Sequence, residues 1–292
     1  MEGFSSTNRR MPEHDRHFMD STEKSLLPEA DLHCHLLPAW DDGPRTLEES
    51  LQMATKAVAS GLKAILVTPH VGRPLSSVVE RPGRDIPAAT AHLEQEMRSH
   101  GIDITLIAGA ELTLTSPDLA KQITQEPWLT VGGQGRYVLV ESTFGCWPRY
   151  ADQLLYEISL TGNTPIIAHP ERLPDVQKDI NTLRNVVERG ALLQLTARSL
   201  MGADDRRTKQ CSYDLLEAGM VGLIASDAHS MKSVLPAEVT SLVQKATGDT
   251  IAQRILIDNP RAVLNGESIS PLLIESGGTK SRKLWSLKRL WT

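Results

Sequence analysis

Short apolar runs alternate with longer stretches of helical period from about residue 30 to about residue 257. The first run, Asp31-Leu-His-Cys-His-Leu-Leu37, ends at Pro38 and the Asp42-Gly-Pro44 turn, as a buried strand would. Thr46-Leu-Glu-Glu49 reads as a capping box, and Leu47, Leu51, Ala54 and Val58 mark one face of a helix that Gly61 closes. Lys63–Thr68 is the next strand, ending at Pro69-His70, and a helix is expected at about 87–100. Ile104–Ala108 ends at Gly109-Ala-Glu111, and a helix starts from Ser116-Pro117. Tyr137–Val140 ends at Glu141, with a helix from Pro148 to about Leu160. Pro165–Ala168 ends at His169-Pro-Glu-Arg172 and leads into a helix over 176–189. The strand Ala191–Leu195 precedes a helix over 204–218, closed by Gly219. Val221–Ala225 ends at Ser226-Asp-Ala-His229, and helices at about 236–247 and 249–257 follow.

These are seven strand–helix units with nearly continuous apolar strands, the pattern of parallel strands covered on both faces. The chain has no G-x-G-x-x-G or Walker loop, which disfavours an open nucleotide-binding sheet. A closed α/β barrel of seven units is the expected architecture, and such barrels put their chemistry at the C-terminal strand ends.

The polar residues fall at those ends. His33 and His35 are two apart, so strand alternation predicts that they share one face while Leu32 and Cys34 share the other. Asp41 and Asp42 follow on the loop, where a carboxylate can turn back toward the same ion. Five of the nine histidines end strands: His33, His35, His70, His169 and His229. Asp42, Glu111, Glu141 and Asp227 join them. A buried histidine satisfied by a carbonyl accounts for one such residue but not for five. His92 and His100 fit a helix surface instead, and His14 and His17 fall in a polar tail. Imidazole and carboxylate without thiolate suit manganese, iron or zinc in a hydrolytic site. So many donors exceed one ion and imply two or three, which can activate water and neutralise phosphate oxyanions. Arg172 is placed to clamp a phosphoryl group, the bland alternative being an ion pair with Glu171.

Composition narrows the classes. The chain is 40% apolar and 23% charged, ordinary for a globular protein, and only 4% aromatic. A net charge of −5 argues against nucleic acid as partner. Cys34, Cys146 and Cys211 are too scattered for a disulfide framework and suggest free thiols. The first 29 residues lack the apolar core of a secretory signal and no run reaches a membrane span, so a cytoplasmic protein is expected.

Asp31-Leu-His-Cys-His35, Asp41-Asp-Gly-Pro44, Thr68-Pro-His70, Gly109-Ala-Glu111, His169-Pro-Glu-Arg172 and Ser226-Asp-Ala-His229 together resemble the PHP (polymerase and histidinol phosphatase) superfamily. Within it the chain is most similar to the manganese-dependent tyrosine phosphatases of bacterial capsule and exopolysaccharide loci, the CpsB/YwqE type. The resemblance implies a distorted (β/α)7 barrel over 30–266, flanked by an extension, 1–29, and a basic tail, 267–292. It implies two to three ions, manganese first, with iron or zinc as alternatives. His33, His35, Glu111 and Asp227 would hold one ion, Glu111 would bridge to another with His70 and His169, and Asp42 and His229 would hold a third. Arg172 would bind phosphate and Glu141 would be a second catalytic group. Two departures stand out: Ser142-Thr-Phe follows Glu141 where the family often has Phe-Pro, and Arg198 replaces a small residue.

The resulting expectation is a phosphatase acting on the phosphotyrosine tail of a bacterial tyrosine kinase that regulates polysaccharide export. The alternatives are a PHP phosphatase for a small metabolite such as histidinol phosphate, and a non-catalytic metal-binding regulator of export. Homo-oligomerisation is allowed. Lys280–Trp291 interleaves five basic residues with Trp285, Leu287, Leu290 and Trp291, a pattern suited to the anionic inner face of a membrane or to a solvated or barrel-packed tail.

Overall fold

The computed structural model describes residues 27–72, 85–142 and 145–269. His14, His17, Phe144 and the basic segment 280–291 therefore lie outside the described residues.

Nine strand segments pair in parallel throughout: β1 (Ala30–Cys34), β2 (Ala64–Val67), β3 (His70–Val71), β4 (Thr105–Ala108), β5 (Glu111–Thr113), β6 (Tyr137–Glu141), β7 (Thr164–Ala168), β8 (Leu192–Thr196) and β9 (Val221–Ala225). They form two sheets, β1-β2-β4 and β3-β5-β6-β7-β8-β9. The sheets are joined through the chain itself, because β2 runs on into β3 and β4 into β5. Pro69, which has no N–H for a ladder, sits at the first break, and Gly109-Ala110 at the second. A Cβ at Gly109 would lie 2.9 Å from Leu66 Cδ1, so the strands approach there only because the residue is glycine. With each broken pair taken as one strand, the count is the expected seven. The end of β9 meets β1 through a parallel bridge between Cys34 and Ala228, with Asp227 N donating to His33 O and His35 N to Ala228 O, both at 2.9 Å. This is a distorted α/β barrel of seven units.

The helices are α1 (Leu47–Ala59), α2 (Ile86–Ser99), α3 (Leu119–Gln125), α4 (Ala151–Leu160), α5 (Pro174–Lys178), α6 (Arg184–Glu188), α7 (Ala197–Met201), α8 (Arg206–Glu217), α9 (Thr240–Thr247), α10 (Asp249–Gln253) and α11 (Asn259–Leu264). Thr46 caps α1 by accepting from Glu49 N at 3.3 Å, but the return bond from Glu49 takes Arg45 N at 2.6 Å instead of Thr46 N. The helix expected over 176–189 is broken between α5 and α6. There Asp179 accepts from Asn181 N at 3.0 Å, a local turn that competes with helix propagation. The last helix widens into a π turn at Arg254–Asp258, because Pro260 offers no N–H to the carbonyl four residues back. His92 and His100 are exposed along α2 and at its end, as expected.

Two apolar layers flank the strands. The outer one packs Cys34, Ile65, Val67, Val138, Val140, Ile167, Leu193 and Ile224 against helix residues such as Met53, Leu93, Met97 and Leu154. The inner one gathers Leu32, Ala64, Leu66, Leu139, Ile166, Leu192 and Leu223, closed at one end by Val131, Val263 and Leu264. Leu32 thus does not share a face with Cys34, contrary to simple alternation. The cause is a bulge: Asp31 pairs with Ile65 and Cys34 with Val67, three steps on β1 against two on β2. The extra residue lets Leu32 and His33 both face inward, before Cys34 turns outward and His35 inward again.

Candidate metal centre

On two strands an interior-facing row that starts apolar ends polar. On β6, Tyr137 and Leu139 lie in the inner layer and Glu141 comes next at the same period; on β8, Leu192 is followed by Gln194 and Thr196. The apolar layer is the floor of a polar nest at the C-terminal strand ends, and Glu111 at the start of β5 stands at its centre.

The Glu111 carboxylate is fully buried and faces four imidazoles. Its Oε1 is 3.3 Å from His33 Nε2 and 2.8 Å from His169 Nε2, while Oε2 is 3.4 Å from His35 Nε2 and 2.8 Å from His70 Nδ1. Asp227 Oδ1 lies 3.3 Å from His33 Nε2 and 3.6 Å from both His35 Nε2 and His229 Nδ1. Asp42 Oδ1 lies 3.4 Å from His70 Nε2 and 3.2 Å from His229 Nε2. Glu141 Oε1 is 3.4 Å from His70 Nδ1 and accepts from Thr113 Oγ1 at 3.0 Å. Four groups have donor atoms within 4.8 Å of one another: His35, Asp42, His70 and His229; His33, His35 and Asp227; His33, Glu111 and His169; His70, Glu111 and Glu141. All nine side chains expected at the site, Arg172 apart, enter these groups. His70 and His169 face opposite oxygens of Glu111 and fall in different groups.

Two of these residues are held in backbone that non-glycine residues rarely adopt: His169 has φ 35° and Asp227 φ 52°. Each follows directly or nearly so on a strand, β7 or β9, and the left-handed turn swings its side chain across the barrel mouth. Such conformations cost on the order of 1–3 kcal/mol apiece and persist where the surroundings enforce them.

Arg172 stands at the rim with its side chain 34% exposed, and its Nη1 donates to Asp227 Oδ2 at 2.7 Å. The ion pair with Glu171 does not form. Glu171 is buried beneath the turn, where its Oε1 accepts from Thr196 N at 3.0 Å. Arg198 instead pairs with Asp204 at 2.7 Å and donates to Ala203 O.

The electrostatics of the nest call for positive charge. Burial pulls the His35 imidazole down, but the Asp227, Asp41 and Glu111 carboxylates outweigh it and raise it well above the usual histidine range. His70 is likewise held down by burial and lifted further by Asp42, Glu111 and Glu141, to about 11. Glu111 and Asp227 resist the upward push of burial and stay well below the usual carboxylate range because of the surrounding imidazoles. His33 Nε2 and His35 Nε2 lie 3.2 Å apart, so two inward lone pairs repel each other unless a proton or cation lies between them. Nitrogen and oxygen donors, deep burial and surplus carboxylate together fit divalent ions.

Two residues gained parts that their sequence positions did not assign. Asp41 does not turn to the nest: its Oδ2 sits 2.7 Å from His35 Nδ1, on the outer edge of that ring. Gln194, whose Oε1 is 2.9 Å from His33 Nδ1, was not singled out by sequence. Its signal was a lone amide in the apolar run Ala191–Leu195.

Residues 29–265 match the family described as "Capsular polysaccharide synthesis, CpsB/CapC". The tyrosine-protein phosphatase YwqE of Bacillus subtilis is 32% identical over 244 residues, covering 82% of this chain and 92% of the relative. The tyrosine-protein phosphatase CpsB of Streptococcus pneumoniae is 25% identical over 246 residues, 82% of this chain and 99% of its own. A crystal structure from work on YwqE and CpsB, described as metal-dependent tyrosine phosphatases, superposes with a TM-score of 0.76 at 31% identity, covering 84% of this chain and 98% of that one. The phosphotriesterase homology protein of Escherichia coli shares the fold alone, with a TM-score of 0.53 at 11% identity over 82% of this chain and 99% of that one. The chain belongs to the CpsB/CapC family of capsular polysaccharide synthesis.

Proposed function

We propose that the chain is a metal-dependent protein-tyrosine phosphatase, hydrolysing phosphotyrosine on the tail of a bacterial tyrosine kinase that regulates capsular or exopolysaccharide biosynthesis. The observation that carries this reading is the set of overlapping imidazole–carboxylate groups around Glu111, with Arg172 at their edge. The relatives named as tyrosine phosphatases support the substrate class. The catalytic unit in this proposal is 30–266, acting in the cytoplasm.

Two to three divalent ions are assigned, manganese first, with iron or zinc as alternatives. His33, His35 and Asp227 would surround one. His70, Glu111 and Glu141 would hold a second, with Glu111 shared toward His33 and His169, and Asp42 and His229 would complete a third. Glu141, expected as a second catalytic group, is thereby reassigned as a ligand because its carboxylate faces His70. Bound ions supply a nucleophile from water at neutral pH and offset charge on the phosphoryl oxygens. Arg172 keeps one N–H on Asp227 and turns the remaining donors of its fork toward the phosphoryl group. Asp227 thereby aims Arg172 as well as serving the ions. A phenolate leaving group, of pKa about 10, is far less basic than an alkoxide, which reduces the need for a general acid.

A panel of phosphotyrosine peptide, phosphoserine peptide and histidinol phosphate, run with manganese and with chelator, tests the reading. Metal-dependent turnover should favour the phosphotyrosine peptide. Preference for histidinol phosphate would move the chain to the metabolite class, and a folded, metal-loaded protein inert on all three would make it a binding regulator.

A further inference from the structure

We propose that Glu171 is a positioning residue: its carboxylate replaces a backbone acceptor lost where β7 leaves the sheet, and by doing so holds the His169 ring and the Arg172 guanidinium in place. The inference rests on the reading of the nest as a metal centre with Arg172 as its phosphate clamp.

β7 and β8 pair in register, Ile166 with Leu192, Ile167 with Leu193 and Ala168 with Gln194, and His169 N continues the ladder by donating to Gln194 O at 2.9 Å. In a parallel ladder the next rung would run from Thr196 N back to His169 O. That rung is replaced. His169 turns left-handed, with φ 35° and ψ 48°, and its carbonyl accepts from Arg172 N at 3.1 Å instead. Thr196 is buried, so water cannot satisfy the N–H thus released. Glu171 does so: its side chain is buried beneath the turn, and Oε1 accepts from Thr196 N at 3.0 Å.

One exchange of acceptors serves two side chains. The His169 carbonyl, released from the ladder, closes the Pro170–Arg172 turn. That turn carries His169 Nε2 to 2.8 Å from Glu111 Oε1 and Arg172 Nη1 to 2.7 Å from Asp227 Oδ2. The Glu171 backbone is tied as well, its carbonyl accepting from Gln177 Nε2 at 2.9 Å. Without the carboxylate, Thr196 N regains an acceptor only if His169 returns to extended backbone, which withdraws both side chains from the site. Glu171 Oε2 has no hydrogen-bond partner among the described residues, so one acceptor oxygen at this reach is what the position requires.

The test uses full-length protein and three substitutions. Glu171→Gln keeps an acceptor oxygen at the same reach, Glu171→Met keeps the length without the acceptor, and Glu171→Asp keeps the charge one carbon short. The readouts are manganese affinity by chelator competition and binding of inorganic phosphate to loaded protein by calorimetry. Glu171→Met and Glu171→Asp should each weaken at least one ion about 10–100-fold and phosphate about tenfold or more. Glu171→Gln should stay within about threefold of wild type on both. Wild-type binding in folded Glu171→Met, or a folded Glu171→Gln as impaired as Glu171→Met, would overturn the inference while leaving the metal centre standing. If neither Glu171→Met nor Glu171→Asp folds, amide hydrogen exchange in wild-type protein decides: Thr196 should be protected as strongly as the ladder amides of Gln194 and His169, and fast exchange at Thr196 would overturn the inference. Wild-type protein that takes up no metal and binds no phosphate would overturn it together with the reading of the nest.

Discussion

Arg172 and Asp227, at the ends of β7 and β9, are joined by a 2.7 Å hydrogen bond between Nη1 and Oδ2, and Asp227 offers its other oxygen to His33 and His35. The cation proposed to bind phosphate and the candidate metal nest are thus mechanically one unit. Arg172→Ala should lower kcat/KM on a phosphotyrosine peptide about a hundredfold or more, the range for removing one preorganised oxyanion contact. Arg172→Lys should recover only part, since an ammonium cannot hold Asp227 and a phosphoryl group with one planar fork. Steady-state kinetics with metal content verified in each variant checks this; full activity in Arg172→Ala would remove the residue from the reaction.

His33 and Asp227 each face more than one neighbouring donor, so losing either should strip at least one ion. His33→Ala or Asp227→Ala is expected to reduce bound metal by elemental analysis and to cost orders of magnitude in rate. The circular dichroism spectrum should be retained, because the apolar floor of Leu32, Leu66, Leu139 and Ile166 lies beneath the site and is untouched. Undiminished metal in both variants would contradict the ligand assignment.

Metal removal should make stability fall with rising pH. In stripped protein His35, His70 and His169 have folded-state values raised above the ordinary 6.5, so protonation substitutes for the missing cations. Such groups contribute stability that is fully present below 6.5 and lost as pH climbs through the folded value, about 11 for His70. Ions compete with those protons, so metal binding strengthens over the same interval. The gap in Tm between loaded and stripped protein should therefore widen from 6.5 upward, measured by calorimetry. A constant gap would show that the imidazoles are not what the ions bind.

No cysteine here fits the Cys-x5-Arg loop of cysteine-dependent phosphatases: the sixth residues after Cys34, Cys146 and Cys211 are Trp40, Asp152 and Glu217. Burial pushes the Cys34 thiol well up, and Cys211 to about 12, so neither offers a thiolate at neutral pH. Each Cys→Ser variant should keep activity to within about tenfold, roughly 1.4 kcal/mol of barrier. Alkylation of native protein should label Cys146, the exposed one, ahead of the other two. Trapping a phosphocysteine would overturn the metal mechanism.

Strand order, the seven units and the inward convergence of His33, His35, His70, Glu111, His169, Asp227 and His229 were legible because strand ends announce themselves by Pro, Gly and abrupt polarity. What local pattern could not supply was anything set by a partner strand. The bulge that parts Leu32 from Cys34 exists only in the register between β1 and β2. Asp41 and Asp42 are chemically identical neighbours, and only the loop geometry turns one to the nest and the other to the back of His35. Gln194 reads as an interruption of an apolar strand until β8 is set opposite β1. The turn at Asp179 that splits α5 from α6 was hidden by an otherwise helical period.

The extra residue in β1 also sets depth. With one residue fewer between Asp31 and Cys34, His35 would keep its phase, but the interior position now filled by Leu32 would fall to His33, roughly one residue rise, about 3.3 Å, lower in the barrel. The imidazole would sink among Ala64, Leu66 and Leu192, out of reach of Glu111. Chain length at a single position of one strand thus places the proposed ligands as much as their identity does, and a deletion that leaves every histidine and carboxylate in place should still empty a corner of the proposed site.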